Sequence, residues 1–488
     1  TYPAPARSPE VTRIPAMPAP RPGRNKAMDP LELEREESGN SELAIPDTAE
    51  PDDTPSILQL AWPAILGNLG SSLVGLVDIK IVGSLGASAV AAVTTGHRIF
   101  WVSEAVLIAV TAGTTALVAR AWGARNTAEA QRATQASLWI CCGLGLGLTL
   151  PLYVYADSLV AVFNLDPETL ALSAEFLRIL ALFNVFFAAS MVLGSALRAA
   201  GDVMTPLWVG LITNLLNIAL VYGLVYGRFG LPAMGVMGAA LANGIAFSVG
   251  TLLIAGLWLR GSLRIQLQRG RSLTSTRIRQ LFRIGYPAGI EQGAMEVGFV
   301  LFLWVVALYG TPAYAAYGIG VQILSVSFLV GFGFTIAAST HVGQRLGAGD
   351  PDGATRSGWR ATRLSVITMT VLGGSIALAA GPLARFMIDD SEVVAITVTF
   401  IYIMAAVQPL MAIVFTLGGA LRGAGDTRFP LLTTLVGLVG FRAGGAALFA
   451  WLGLDVTWIF GALILDYMVK SAMLVWRFRS ERWQKIQL

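Results

Sequence analysis

From residue 57 onward the sequence is a series of apolar blocks, each 22 to 29 residues long and separated from the next by a short polar segment. An α-helix needs about 20 apolar residues to cross the hydrocarbon core of a bilayer, so each block is long enough to span a membrane. The blocks lie at 57–80, 90–118, 135–156, 171–197, 205–227, 235–259, 284–308, 314–342, 360–381, 394–418, 430–452 and 455–476. The sequence therefore predicts an all-α polytopic membrane protein with twelve transmembrane helices.

The composition supports this fold class and excludes others. Hydrophobic residues make up 55% of the chain and charged residues 13%, whereas soluble domains carry about 25% charged residues. This balance argues against a soluble enzyme and against a disordered scaffold. The only two cysteines, the adjacent Cys141 and Cys142, cannot build a disulfide framework or a Cys-rich metal site.

Residues 1–56 differ from the rest of the chain. They contain 11 of the 22 prolines and show no apolar periodicity, which predicts a disordered cytoplasmic tail. Five basic residues in 1–27 precede ten acidic residues in 28–56, and Met28 at the boundary is a candidate translation start. The tail has no apolar core of the length that a secretory signal needs, so we do not expect it to be one.

Positive charge falls mainly on alternate loops. With the N-terminus placed in the cytoplasm, most loop Arg and Lys residues lie on the inner side, as the positive-inside rule requires. An even number of spans then puts both termini in the cytoplasm. The segment 260–283 holds seven Arg and no acidic residue. We expect 261–283 to be a basic cytoplasmic connector on the anionic lipid surface and not a nucleic-acid site.

The chain contains an internal repeat with an offset of 224 residues. Pro63 aligns with Pro287, and the segment Leu197–Asp202 aligns with Leu421–Asp426 at the same offset. One offset that persists across several helices indicates a duplicated unit of six spans.

The duplication predicts two lobes, an N-lobe at 57–260 and a C-lobe at 284–488. Units with an even number of spans insert in the same orientation, so a pseudo-twofold axis along the membrane normal relates them. This architecture is typical of secondary transporters, which handle their substrate between the two units near the middle of the bilayer.

Three segments carry a resemblance to a known family. Val342–Asp350, Leu421–Thr427 and Val77–Ile79 together resemble the multidrug and toxic compound extrusion (MATE) family, closest to its DinF-like bacterial branch. The resemblance covers roughly 57–480. It implies a MATE fold of two six-helix bundles arranged in a V shape. It also implies an antiporter that exports organic, often cationic compounds in exchange for H⁺ or Na⁺.

Asp78 lies late in the first block, where an ionisable group is costly and therefore a candidate for function. A carboxylate there can bind a proton or Na⁺, and Asp78 matches the cation-coupling Asp of the family that the chain resembles. The alternative is an Asp at the outer interface that pairs with Lys80 or Arg98.

Asn217 and Asn243 are expected to complete the cation-coupling site. Asn217 resembles a family Asn and can offer an oxygen to a cation or a hydrogen bond to Asp78, or it can simply link two helices. Asn243 stands where the family usually has Thr. The DinF-like branch has a second Asp one turn after the Asn, and this chain has Val221 there. One carboxylate can carry a proton, whereas strong Na⁺ binding favours several oxygens.

Three glutamates are expected to line a substrate cavity. Glu291 and Glu296 lie early in the seventh block, and Glu296 falls near a Glu used by the Na⁺-coupled NorM-like branch; Glu104 lies in the second block. Acidic side chains there would attract cationic drugs. For Glu291 the alternative is an ion pair with an Arg of the connector. Arg442 and Asp466 are expected to form a structural ion pair between helices of the C-lobe.

The sequence thus predicts a secondary active antiporter of a bacterial cytoplasmic membrane and not an enzyme. It contains no His-Glu-x-x-His, Gly-x-Ser-x-Gly or Walker motif. We expect no cofactor, no metal other than Na⁺ at Asp78, and a monomer whose partners are small organic substrates and membrane lipid, without nucleic acid. The alternative is a flippase for lipid-linked saccharides, which would need a cationic cavity for the pyrophosphate.

Overall fold

The computed structural model describes residues 56–266 and 272–486. The predicted tail up to residue 55 and the connector residues 267–271 lie outside this part of the chain. Over the described residues the fold is helical and contains no β-strand. Eleven of these helices are long and apolar enough to cross a membrane, and a bent pair of shorter helices makes the twelfth span. The predicted fold class is confirmed.

The spans are numbered in chain order. Spans 1 to 6, here called the N-lobe, are Ile57–Gly83, Ala87–Gly123, Thr127–Val154, the bent pair Pro167–Leu182 with Asn184–Ala199, Met204–Tyr226 and Gly235–Leu259. Spans 7 to 12, the C-lobe, are Ser275–Ala307, Thr311–Gly347, Pro351–Leu378, Ser391–Gly423, Arg428–Trp451 and Val456–Arg479. Short helices at Ala156–Ala161 and Ala380–Met387 follow spans 3 and 9, and a 3₁₀ turn at Arg482–Lys485 follows span 12.

Spans 2 and 8 are longer than their apolar blocks. Each is a helix of 37 residues, and the bounds of the first, Ala87–Gly123, fall on those of the second, Thr311–Gly347, at the offset of 224. A helix of this length measures about 55 Å, well beyond the roughly 30 Å of the hydrocarbon core. Both helices therefore continue past the apolar region, and their ends are free to pack against the other lobe.

Two spans depart from a regular helix. Span 4 bends by 54° at the break between Leu182 and Asn184. In span 11 the helix changes to π-helical geometry over Leu435–Ala443. Such π-helical turns are rare and often lie at functional sites, and this one positions Arg442.

At one end of the spans, residues of both lobes form one hydrophobic core, whereas at the other end each lobe has a core of its own. One cluster joins Leu60 of span 1 to Phe334 and Leu421 of the C-lobe. Toward the opposite end, the cluster around Phe176 contains only N-lobe residues and the cluster around Phe460 only C-lobe residues. The shared end is the one where the Arg-rich loops lie. We call it the basic face, formed by the described residues of the loops at 124–126, 200–203, 260–266, 272–274, 348–350 and 424–427.

Glycines allow the two lobes to meet at the basic face. A Cβ atom on Gly123 would lie 1.8 Å from the carbonyl oxygen of Gln344, and one on Gly347 would lie 2.0 Å from the carbonyl oxygen of Arg120. Adding 224 to Gly123 gives Gly347, and subtracting 224 from Gln344 gives Arg120. The pseudo-twofold relation predicted from the sequence is therefore present in the packing of spans 2 and 8.

Hydrogen bonds across the lobes reinforce this contact. Gln344 donates from Nε2 to the carbonyl oxygen of Ala199 at 2.8 Å. Arg120 donates from Nη1 to the carbonyl oxygen of Ile486 at 2.7 Å and from Nη2 to that of Ala424 at 3.3 Å. Carbonyl groups left free at helix ends are thus satisfied by the opposite lobe, and the lobes are closed at the basic face.

Candidate functional site

Asp78 and Asn217 form the centre of the N-lobe site. Spans 1 and 5 pack side by side, and Asn217 donates from Nδ2 to Oδ2 of Asp78 at 2.9 Å. Oδ1 of Asp78 and Oδ1 of Asn217 are both buried without a hydrogen-bond partner among the described residues. Two buried oxygens that can only accept are costly unless a proton or a cation joins them. The pair is therefore suited to bind a small cation or a proton.

Asn243 and Val221 complete the surroundings of this pair. Asn243 is buried on span 6, donates from Nδ2 to the carbonyl oxygen of Ala239 at 3.0 Å, and lies close enough to interact with Asp78. Val221 is fully buried in the hydrophobic cluster of the N-lobe. Val221 thus packs in the core and supplies no carboxylate. The carboxylate of this site is that of Asp78.

Asn214 has a different role from Asn217 although the two lie on one helix. Its amide nitrogen reaches the hydroxyl of Ser71 at 3.4 Å. Since Ser71 belongs to span 1, this contact is a polar link between two helices and does not involve Asp78 or Asn217.

Glu296 lies on the side of span 7 that faces the N-lobe. On this helix Gly285 and Gly289 pack against Ala109 of span 2, with a Cβ on Gly285 only 2.5 Å from the carbonyl oxygen of Ala109. Helical geometry of 100° per residue brings Glu296 to the same face as Gly285, three turns further from the basic face. The side chain is exposed. The cores of the two lobes are separate toward this end of the spans, and we infer that Glu296 faces a gap between the lobes, beyond the point where they touch.

Glu291 is held in a buried ion pair. Arg422 of span 10 donates from Nη2 to Oε1 at 2.6 Å and from Nε to Oε2 at 3.2 Å, and Thr434 donates its hydroxyl to Oε1 at 2.9 Å. The partner is thus Arg422 of span 10 and not an Arg of the connector, which was the alternative predicted from the sequence. Both carboxylate oxygens are engaged within the C-lobe.

Glu104 lies inside the N-lobe and away from the gap. It has no exposed surface, and neither carboxylate oxygen has a partner in the part of the chain that the structure describes. Its neighbours one turn on in span 2 and in span 3, Leu107 and Cys141, belong to a hydrophobic cluster. The expectation that Glu104 lines a substrate cavity is corrected by this position, because a side chain sealed by core packing cannot contact a substrate.

The predicted pair of Arg442 and Asp466 is confirmed, and a third charge joins it. Arg442 Nη2 lies 2.5 Å from one oxygen of Asp466, and Lys470 Nζ lies 2.8 Å from the other. The ring of Tyr467 lies 5.2 Å from the Arg442 guanidinium and 5.5 Å from the Lys470 ammonium. Two cations share one carboxylate, so with all three ionised the cluster carries one net positive charge. Lys470 was not predicted, although its spacing of four residues from Asp466 in an apolar helix is a visible signal.

Comparison with known proteins places these features in a family. The family model MatE matches two segments, 63–223 and 287–448, which begin at the two repeat-related prolines. The probable multidrug resistance protein NorM of Thermotoga maritima is 31% identical over 449 residues, covering 90% of this chain and 95% of the relative. The protein of the same name from Bradyrhizobium diazoefficiens is 29% identical over 458 residues and covers 88% of this chain and 96% of the relative.

Solved structures share the fold. An outward-facing multidrug resistance MATE transporter of the MOP superfamily superposes with a TM-score of 0.82 at 20% identity, over 87% of this chain and 96% of that one. A MOP superfamily transporter from Pyrococcus furiosus, described as having a binding pocket of reverse polarity, also gives 0.82, at 21% identity over 88% and 96%.

Proposed function

Since this chain belongs to the MatE family of transporters, we propose that it is a secondary active antiporter that exports organic, drug-like cations in exchange for H⁺ or Na⁺. It is a multi-pass membrane protein. We place it in a bacterial cytoplasmic membrane with the basic face, and both termini, in the cytoplasm.

The observation that carries the proposal is the contact of Asp78 with Asn217, which leaves one buried oxygen on each without a partner among the described residues. Binding of one cation or proton between these oxygens changes the charge and the hydrogen bonds that join spans 1 and 5. A ligand can shift a conformational equilibrium only if it binds the two states differently. An ion that is bound only when Asp78 of span 1 lies beside Asn217 of span 5 would shift the equilibrium toward that conformation.

The closed basic face determines the side of the membrane on which a substrate can leave. With the lobes joined there, the gap that contains Glu296 opens away from the basic face, and a cationic substrate can leave on that side. Separation of Gly123 from Gln344 and of Gly347 from Arg120 would open the opposite path. Rocking of two lobes about a fixed site is the usual mode of such transporters.

A second candidate function, a flippase for lipid-linked saccharides, is favoured by one observation. The cluster of Arg442, Asp466 and Lys470 has one positive charge more than negative, and a pyrophosphate needs cationic partners. The cluster is almost fully buried, so such a substrate would reach it only after span 11 rearranges at its π-helical turn.

The test is transport by the purified protein in liposomes. Ethidium movement is measured under a pH gradient and, separately, under a Na⁺ gradient of equal size. Export driven by one of the gradients, and absent when both are collapsed, is the result we expect. Movement of a lipid-linked saccharide across the bilayer, without gradient-driven ethidium export, would instead favour the flippase.

A further inference from the structure

A cavity of about 390 Å³ opens at the basic face of the C-lobe. It lies between the start of span 7, the loop that joins spans 10 and 11, and the end of span 12 with the segment after it. The polar residues that line it are Gln280, Arg283, Asp426, Thr427, Arg428 and Arg477. Asp78, Asn217 and Glu296 are not among the residues that line this cavity.

The lining has an excess of positive charge. Asp426 forms an ion pair with Arg477, whose Nε and Nη2 both lie 2.7 Å from Oδ2 of that carboxylate. Arg283 and Arg428 also line the cavity, and neither has an ion-pair partner among the described residues. Three arginines against one aspartate leave two net positive charges, and they belong to guanidinium groups whose planar fork fits a phosphate group.

Aromatic rings lie beside two of these guanidinium groups, those of Arg428 and Arg477. The Arg428 guanidinium lies 5.9 Å from the centroid of the Tyr286 ring, and that of Arg477 lies 5.3 Å from the centroid of the Phe429 ring. Cation–π contacts of this kind orient an arginine and leave its N–H groups available. The N–H groups of Arg428 are therefore positioned before a ligand arrives.

The rim of the cavity is apolar and exposed. Leu432 lines the cavity with 48% of its surface exposed, and Phe282 and Trp476, next in sequence to two lining arginines, are exposed by 71% and 58%. Exposed aromatic side chains beside basic residues are typical of a helix end at the level of lipid headgroups. A ligand in the cavity would thus have hydrocarbon beside it.

The N-lobe provides an internal comparison, because the same elements recur there at the offset of 224. Gln59 stands in the position of Arg283 and Met204 in that of Arg428. Asp202, the counterpart of Asp426, accepts hydrogen bonds from the backbone nitrogen and the hydroxyl of Thr205 and has no arginine partner among the described residues. The basic cavity is thus a feature of one lobe and not a consequence of the repeated fold.

We propose that this cavity binds the phosphate-bearing headgroup of an anionic phospholipid from the leaflet at the basic face. Arg283 and Arg428 donate to the phosphate, and the acyl chains lie along Leu432 and Phe282. Such a lipid fastens the start of span 7 to the loop between spans 10 and 11. The inference does not depend on the direction or the ion of transport.

The test compares lipids on the purified full chain. The melting temperature is measured in detergent micelles after addition of phosphatidylglycerol, phosphatidylcholine or inorganic phosphate. We expect phosphatidylglycerol to act at a lower concentration than phosphatidylcholine, with inorganic phosphate unable to replace it. Each arginine is expected to contribute about a fivefold preference. Equal effects of the two lipids, or an equal effect of phosphate alone, would overturn the proposal.

Two variants locate the site. Arg283→Gln should lose its share of the preference for phosphatidylglycerol, whereas Arg279→Gln, an exposed arginine one turn earlier on the same helix that does not line the cavity, should keep it. Arg428→Lys keeps the positive charge but loses the planar guanidinium group that fits a phosphate. It should retain part of the preference for phosphatidylglycerol over phosphatidylcholine. Loss of the same size in Arg279→Gln would show a general charge effect and would contradict a specific cavity.

Discussion

The backbone of Gly123 in span 2 lies so close to Gln344 in span 8 that a single added carbon would meet the Gln344 carbonyl oxygen at 1.8 Å. The same contact recurs between Gly347 and Arg120, their partners in the repeat. Closure of the lobes at the basic face therefore depends on two positions without a side chain. This relationship connects the duplication in the sequence to the movement that transport requires.

The first prediction concerns this contact. Gly123→Ala should weaken the closed arrangement, because the backbone of span 8 must move to admit the Cβ atom. The measurement is labelling of Thr340→Cys, a buried position whose hydroxyl reaches the carbonyl oxygen of Arg198 across the lobes. A polar maleimide should label it faster in the Gly123→Ala variant.

The control for this prediction is Gly143→Ala on span 3, where an added Cβ meets no atom within 4 Å. Both variants are compared after replacement of Cys141 and Cys142, so that the introduced thiol is the one labelled. Equal labelling rates in Gly123→Ala and Gly143→Ala would show that the close approach does not control closure.

The second prediction concerns Asn217. Asn217→Ala removes the donor to Oδ2 of Asp78 and should reduce coupled transport about tenfold or more, since a hydrogen bond to a charged group contributes roughly 1.5–3 kcal/mol. Asn214→Ala on the same helix serves as the control and should stay near wild type. Initial rates of ethidium export measure both, and a loss of equal size in the two variants would argue for a general effect on span 5.

The third prediction concerns the ion pair of Glu291 with Arg422. Arg422→Met leaves a buried carboxylate without its main partner and should destabilise the protein by roughly 3–5 kcal/mol, whereas the double variant Glu291→Met with Arg422→Met should recover most of this. Thermal unfolding in detergent measures the effect. The exposed pair of Asp157 with Arg178 is the control, and Asp157→Asn should cost at most about 1 kcal/mol. A double variant no more stable than Arg422→Met would contradict a structural role for this pair.

The fourth prediction concerns Glu296. Glu296→Gln should raise the KM for a cationic dye about fivefold, since one opposite charge in a partly solvated gap contributes about 1 kcal/mol. The KM for an uncharged substrate should stay the same. Glu392→Gln, an exposed acid at the start of span 10, is the matched control. An equal change for charged and uncharged substrates would remove Glu296 from cation recognition.

Much of the fold could be predicted because its signals are local or repetitive. The length of the apolar blocks predicts the spans, and the offset of 224 predicts the symmetric packing that Gly123 and Gly347 show. The extra length of spans 2 and 8 could not be predicted from hydropathy, because the polar ends of both helices are stabilised by contacts with the other lobe.

The candidate sites were predicted in part. The sequence indicated Asp78 and Asn217 through their residue types and their places in the spans. It could not show that Glu291 meets Arg422, 131 residues away, or that Glu104 lies sealed in a lobe. Which face of a helix turns toward a neighbouring helix depends on tertiary packing, and an intramembrane acid looks the same in sequence whichever way it points.

The most direct test of the account is the exchange of Asp78 for Asn in liposomes that contain the purified protein. Ethidium export is measured under a pH gradient and under a Na⁺ gradient, and Asp157→Asn provides a matched loss of charge outside the site. The account predicts that export driven by the coupling ion is lost in Asp78→Asn and retained in Asp157→Asn, while both proteins keep the wild-type melting temperature. Gradient-driven export at the wild-type rate in Asp78→Asn would contradict the assignment of Asp78 as the coupling residue.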